Sequence, residues 1–131
     1  MAAAHEISLK RFMDGDIDIL ADTIKARIGR VSAYTFSQAH DFMDDYPAAI
    51  VTDVTLGTKT TTAGVFDAAD AVFSAVPAGA AIDFVSIFKF VTNDADSMPF
   101  LYLDGFSVTP NGGDITLQWA AGSPNIWKIA P

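Results

Sequence analysis

"IDFVSIFKFV", residues 82–91, is apolar on both faces when it is drawn as a β-strand. Alternate residues of a strand point to opposite sides of the sheet. One face then carries Ile82, Phe84, Phe88 and Phe90, and the other carries Val85, Ile87 and Val91. Such a strand lies in the centre of a sheet or turns one face to another protein. The stretch contains Asp83 and Lys89 and is too short to cross a bilayer, so it predicts a central strand.

The rest of the chain predicts an all-β fold. Turn-forming clusters such as "DG", "ND" and "NGG" recur about every ten residues, as they do between short strands. Residues 23–29 and 114–120 alternate between apolar and polar side chains, the pattern of an antiparallel strand with one solvated face. The prediction is one domain, residues 1–131, forming an antiparallel β-sandwich or a barrel-like fold.

Helix signals are few. Residues 37–47, "SQAHDFMDDYP", predict one short helix, with Ser37 as its N-cap and Pro47 closing it. Residues 6–13 predict at most one helical turn. Residues 1–12 have little strand pattern and predict an extended N-terminal arm that gains order on a partner. Deleting residues 1–9 would then leave the β-domain folded.

The acidic balance limits the partners of the protein. The net charge is −8, and five of the eight basic residues lie in the first thirty positions. Binding to nucleic acid or to an anionic membrane is therefore disfavoured, because both require clustered Lys and Arg. The chain has no cysteine, which excludes disulfides, thiolate catalysis and cysteine-based zinc sites.

Asp14, Asp16 and Asp18 recur at every second position, as ligands do in a calcium-binding loop. An EF-hand needs Gly at its sixth position and Glu at its twelfth, but this stretch has Ile19 and Lys25 there. Residues 14–29 therefore predict an acidic hairpin with a turn at 20–22. A weak calcium site of another type is the alternative.

No catalytic constellation is evident. His5 and His40 are interpreted as surface or cap histidines, because neither accompanies a recognisable nucleophile. Trp119 alternates with apolar residues and predicts a core position, whereas Trp127 would suit either a core or a sugar-stacking position. The prediction is that the protein is not an enzyme and has no cofactor or metal site.

Four segments resemble a family of small tailed-bacteriophage virion proteins. They are residues 14–29, "DGDIDILADTIKARIG"; 34–46, "YTFSQAHDFMDDY"; 64–76, "GVFDAADAVFSAV"; and 109–119, "TPNGGDITLQW", which is followed by "IWKI" at 126–129. The family carries "GDIDLDTDTIKVAL", a "YT…HDF" segment, a "FDADDVTF"-like strand and an "NGGDITVTW" strand near its end. The resemblance spans nearly the whole chain, and its motifs are structural.

The resemblance implies a virion structural component, assembled in the host cytoplasm. An acidic chain suits the outer head surface better than the DNA-filled interior. We therefore expect a capsid decoration (cement) protein that contacts the major capsid protein and itself, as a homotrimer. The alternative is a neck, tail or fibre-associated protein that binds a host-surface glycan.

The expected contact residues come from the arm and from the doubly apolar strands. The arm offers apolar anchors and two bases, and residues 82–91 and 99–105 offer aromatic side chains. The predicted capsid or subunit contacts are Ile7, Leu9, Lys10, Arg11, Phe12, Phe84, Phe88, Phe100 and Tyr102.

Overall fold

The structure, a computed structural model, describes residues 2–30, 34–46, 52–119 and 127–128. The single α-helix of this part, α1, is Glu6–Asp14, and two short 3-10 turns cover Met43–Asp45 and Thr62–Gly64. The strands are β1 (Ala2–Ala4), β2 (Ile24–Gly29), β3 (Thr52–Thr55), β4 (Val65–Phe66), β5 (Ala71–Phe73), β6 (Ile82–Lys89), β7 (Met98–Val108), β8 (Ile115–Leu117) and β9 (Trp127–Lys128). The prediction of a mainly-β fold with one short helix is confirmed.

One antiparallel sheet dominates the molecule. Its five strands run in the order β1-β7-β6-β2-β3, and two further sheets have two strands each, β4-β9 and β5-β8. Strand β6 is central, between β2 and β7, as its two apolar faces predict. The large sheet is open, with β1 and β3 at its edges, so the barrel-like form is not closed.

Both faces of the large sheet are covered by the chain itself. On one face, which we call the aliphatic core, side chains from β2, β6 and β7 pack with residues from β4 and β5 and with half-buried residues of β8. On the other face lies the aromatic core, formed by Tyr34, Phe36, Met43, Tyr46, Phe84, Phe88, Phe90 and Tyr102. Residues 34–46 therefore act as a cover for the second face of β6 and β7.

The structure places Ile82 on a different face of the central strand from the one predicted. The pairing of β6 with β7 shifts register between Ile82 and Phe84. Ile82 consequently packs in the aliphatic core with Val85 and Ile87, and not on the side of Phe84 where strict alternation places it. Ile82 pairs with Val108 and Phe84 with Asp104, so β7 advances four positions where β6 advances two, and the regular alternation is interrupted there.

The extended arm predicted for residues 1–12 is wrong. Strand β1 pairs with β7, with Ala3 opposite Tyr102, and α1 follows directly. The helix ends at Gly15, whose φ of 81° gives the left-handed C-cap that favours glycine. Residues 2–14 gain order from these contacts within the chain, so they do not need a partner to become ordered.

Two further sequence predictions are wrong, a helix at 37–47 and a hairpin at 14–29. Residues 37–46 contain only the 3-10 turn Met43–Asp45, and position 47 lies outside the described residues. The predicted hairpin keeps its return strand, β2, but residues 15–23 form a loop in which Asp18 accepts the backbone N–H groups of Leu20 and Ala21. Short polar side chains compete with regular structure in this way.

Within the described ranges, no helix is long and apolar enough to cross a membrane.

Candidate functional site

Helix α1 buries two polar residues and exposes two apolar ones, although Phe12 packs inward and Glu6, Lys10 and Asp14 are exposed. Ser8 and Arg11 are buried, whereas Leu9 is 45% exposed and Met13 is 81% exposed. A surface helix of a globular protein normally shows the opposite arrangement, with its apolar stripe on the core. The outward face of α1 is therefore the first candidate for a binding surface.

Specific hydrogen bonds hold the polar side of α1 against the molecule. The Ser8 hydroxyl donates to the His5 carbonyl oxygen and lies 3.5 Å from the Phe100 carbonyl oxygen. Arg11 Nη1 donates to the Asp41 carbonyl oxygen at 2.5 Å, and the guanidinium lies 4.7 Å from the centroid of the Phe42 ring. Burial lowers the pKa of Arg11 from its ordinary value. These contacts fix the rotation of the helix, so Leu9 and Met13 stay outside.

A cleft of about 530 Å³ runs between α1 and residues 38–41, and we call it the α1 cleft. Its walls are Glu6, Ile7, Leu9, Lys10, Met13, Gln38, Ala39 and Asp41. Lys10 forms an ion pair with Asp14 one turn along the helix. Among the described residues, Glu6 has no basic partner within ion-pair distance. The cleft thus joins an apolar wall to an acidic rim.

The predicted contact residues divide into two groups. Ile7, Leu9 and Lys10 line the α1 cleft. Arg11 lies beneath it, and Phe12 turns inward, with its ring centroid 5.3 Å from that of Phe100. Ile7, Leu9 and Lys10 are therefore brought to one surface, although by a helix and not by an arm.

The second group does not reach the surface. The prediction that four aromatic residues contact another subunit is wrong, because each is at most 2% exposed in the single chain. They are Phe84, Phe88, Phe100 and Tyr102. The apolar second face of β6 is covered by residues 34–46, so no partner is needed to bury it.

His5 is the main residue that sequence reasoning misplaced. It is completely buried, Nδ1 lies 3.1 Å from the Ser37 carbonyl oxygen, and Nε2 lies 2.8 Å from the Tyr46 hydroxyl. A carbonyl only accepts, so Nδ1 carries the proton and Nε2 accepts from Tyr46. Burial lowers the pKa of His5 to about 4. No local sequence signal marks this role, since its partners lie 32 and 41 positions away.

Tyrosine rings extend this buried group. The Tyr34 and Tyr46 rings stack with centroids 4.1 Å apart, and the Tyr34 hydroxyl lies 2.7 Å from His40 Nδ1. Burial raises the pKa of Tyr46 far above its ordinary value, so its hydroxyl stays protonated. His5, bonded to the Tyr46 hydroxyl and to the Ser37 carbonyl oxygen, ties residues 34–46 to the start of α1. This arrangement serves structure and offers no activated nucleophile.

The acidic loop does not assemble its carboxylates. Asp14 pairs with Lys10, Asp16 is exposed, and Asp18 accepts backbone N–H groups of its own loop. In the described part of the chain, no group of three or more His, Asp or Glu side chains is arranged to hold a metal ion. The expectation that calcium does not bind tightly here stays a prediction, which calorimetry would test.

The two tryptophans have different outcomes. Trp119 is half-buried and packs against the edge of the aliphatic core, where its Nε1 donates to the Ala69 carbonyl oxygen at 3.1 Å, so it is less buried than the predicted core position. The side chain of Trp127 lies outside the described residues, although its backbone pairs with Phe66 in β4.

Comparisons with protein-family models, with curated proteins and with solved structures gave no match for this chain.

Proposed function

We propose that the protein is a bacteriophage capsid decoration protein, which binds the outer head surface and stabilises contacts between major capsid subunits. The observation that carries the proposal is the exposure of the apolar Leu9 and Met13 on α1, beside a cleft and next to the buried polar residues Ser8 and Arg11. Exposed apolar side chains beside a cleft are typical of a surface that binds another protein.

Two sequence features support this choice. The segments that resemble small virion proteins are distributed between residues 14 and 119, and the net charge of −8 opposes a position beside packaged DNA. The proposal involves no catalysis and no cofactor. Binding to the head surface is the function, and the α1 cleft is the attachment site.

Heads assembled without this protein provide the test. Purified protein is added to them, and the bound amount is measured at increasing concentration. Met13→Gln removes an exposed apolar side chain from the cleft, and Val72→Gln removes one from β5, where Val72 is 46% exposed. Burial of a large apolar side chain contributes about 1.5–3 kcal/mol, so Met13→Gln should weaken binding at least about tenfold.

Val72→Gln should bind like the wild type, because Val72 does not line the cleft. If the wild type does not bind the heads at all, the decoration role is wrong. If both variants bind equally well, attachment uses another surface.

A further inference from the structure

We infer that the α1 cleft binds a short segment of a partner polypeptide in which apolar side chains are flanked by Lys or Arg. This inference rests on the proposed attachment role and adds the chemistry of the partner. It follows from three properties of the cleft, namely its apolar wall, its volume and its charge.

The apolar wall and the volume suit side chains of a peptide. Ile7, Leu9 and Met13 lie on the side formed by α1. The volume of about 530 Å³ falls in the range of about 300–1,000 Å³ that is typical of ligand sites. Met13 is unbranched and adapts its shape to an incoming apolar group. Across the cleft, Gln38 offers an amide that can both donate to and accept from a peptide backbone.

The charge of the rim selects a basic segment. Four acidic residues lie on or beside the cleft, namely Glu6, Asp14, Asp41 and Asp45. Asp45 is next to the cleft because its carboxylate accepts the backbone N–H of Asp41. Two bases oppose them, Lys10 and Arg11, which leaves a balance of two negative charges. Lys10 is paired with Asp14, and Arg11 is buried under Asp41. Glu6 is therefore the rim carboxylate best placed to receive a Lys or Arg from outside.

The same charge disfavours other occupants. A second copy of this chain would bring two acidic rims together, on molecules that each carry a net charge of −8. Nucleic acid and anionic lipid would be repelled for the same reason. A basic polypeptide gains both from apolar burial and from charge complementarity, which also speeds its encounter with the cleft.

The experiment uses the full chain labelled with ¹⁵N and three synthetic twelve-residue peptides. The first contains Leu and Lys separated by Ser, the second replaces each Lys by Glu, and the third replaces each Leu by Ser. Amide shifts are followed during titration. We expect the Leu/Lys peptide to shift residues 6–13 and 38–41, and the other two to bind at least about fivefold more weakly.

Matched variants separate the apolar contribution to peptide binding from the contribution of charge. Met13→Gln should weaken binding of the Leu/Lys peptide about tenfold, and Glu6→Gln should weaken it about threefold and reduce its salt dependence. Val72→Gln and Asp96→Asn remove an apolar group and a charge elsewhere, and both should leave the affinity unchanged.

Several results would overturn the inference. These are equal binding of the Leu/Glu peptide, shifts that fall outside the cleft, or no effect of Met13→Gln and Glu6→Gln. Concentration-dependent shifts of residues 6–13 without peptide would assign the cleft to a second copy. If heads bind the protein but the peptide does not, only this inference fails. If the peptide binds but heads do not, the decoration role fails instead.

Discussion

Arg27 shows how one side chain joins three parts of the fold. From β2, its Nε and Nη2 donate to both carboxylate oxygens of Asp53 in β3, at 2.6 and 2.8 Å. Its Nη1 and Nη2 also donate to the Asp94 carboxylate, at 3.1 and 2.8 Å. The guanidinium is largely buried and lies 5.2 Å from the centroid of the Phe88 ring. Only a planar fork with several donors can serve two carboxylates in this way.

Arg27→Lys should lower the free energy of unfolding by about 1–3 kcal/mol. Lysine keeps the charge but offers a single ammonium group, so bonds to one of the two carboxylates are lost in a partly buried place. Urea denaturation followed by fluorescence measures the change. Lys10→Gln is the control, because it breaks an exposed ion pair and should leave the midpoint unchanged. An equal shift in both variants would contradict this role of Arg27.

His5 should make stability depend on pH. Burial lowers the pKa of His5 from 6.5 to about 4, so between these values the unfolded chain binds more protons than the folded one. The stabilisation is complete above about pH 6.5 and is lost as the pH falls toward 4, by at most about 1.4 kcal/mol per pH unit. His40 and Arg11 favour the neutral ring, whereas Asp45 opposes them.

Denaturation of the wild type and of His5→Gln at pH 7, 6 and 5 measures this effect. The variant should be less stable at pH 7, because the bonds to Ser37 and Tyr46 are disturbed. Its stability should fall less between pH 7 and 5 than that of the wild type. Parallel curves for the two proteins would show that another group carries the pH dependence.

At the scale of elements, local periodicity predicted strands better than it predicted helices. Alternation of apolar and polar side chains predicts β2 and β8, and two apolar faces predict the central strand β6, because each pattern matches the burial that neighbouring strands impose. The arm predicted at residues 1–12 is wrong because the order of β1 comes from pairing with β7, about a hundred positions away. The helix predicted at 37–47 does not form, because Tyr34, Met43 and Tyr46 all pack on one face of the sheet.

The candidate site was predicted only in part. Ile7, Leu9 and Lys10 were named as contacts, and all three line the α1 cleft. Glu6 and Met13 were missed because their exposure depends on the rotation of α1, which Ser8 and Arg11 determine through distant partners. No sequence pattern within the helix carries that information.

Deleting residues 1–9 should destabilise the domain, contrary to the sequence-based expectation. The deletion removes β1 from the edge of β7 and removes His5 and Ser8 with their hydrogen bonds. At about 1 kcal/mol for each buried hydrogen bond, the loss should exceed about 2 kcal/mol. Thermal unfolding of the truncated protein measures it. A midpoint equal to that of the full chain would show that residues 1–9 contribute little to the fold.

At the scale of the whole molecule, the homotrimer stays a prediction. One reason for it, an apolar face of β6 that needs a partner, no longer holds. Both faces of β6 are buried within a single chain, so trimerisation is not needed to cover them. A net charge of −8 also keeps free copies apart. We expect a monomer in solution at micromolar concentration and low salt, with trimers only on the head surface. Sedimentation velocity at 50 and 500 mM salt checks the first part, and a stable trimer at low salt would contradict it.

The pairing of β1 with β7 has a consequence for synthesis on the ribosome. Ala3 and Tyr102 are neighbours in the sheet but lie 99 positions apart in the sequence. At a translation rate of about 5–20 residues per second, β1 waits roughly 5–20 s for its partner strand. During that time α1 has no β7 to pack against, and Phe12 as well as Met13 is open to chaperones or to other nascent chains. Helix α1 therefore reaches its folded surroundings only after β7 has emerged.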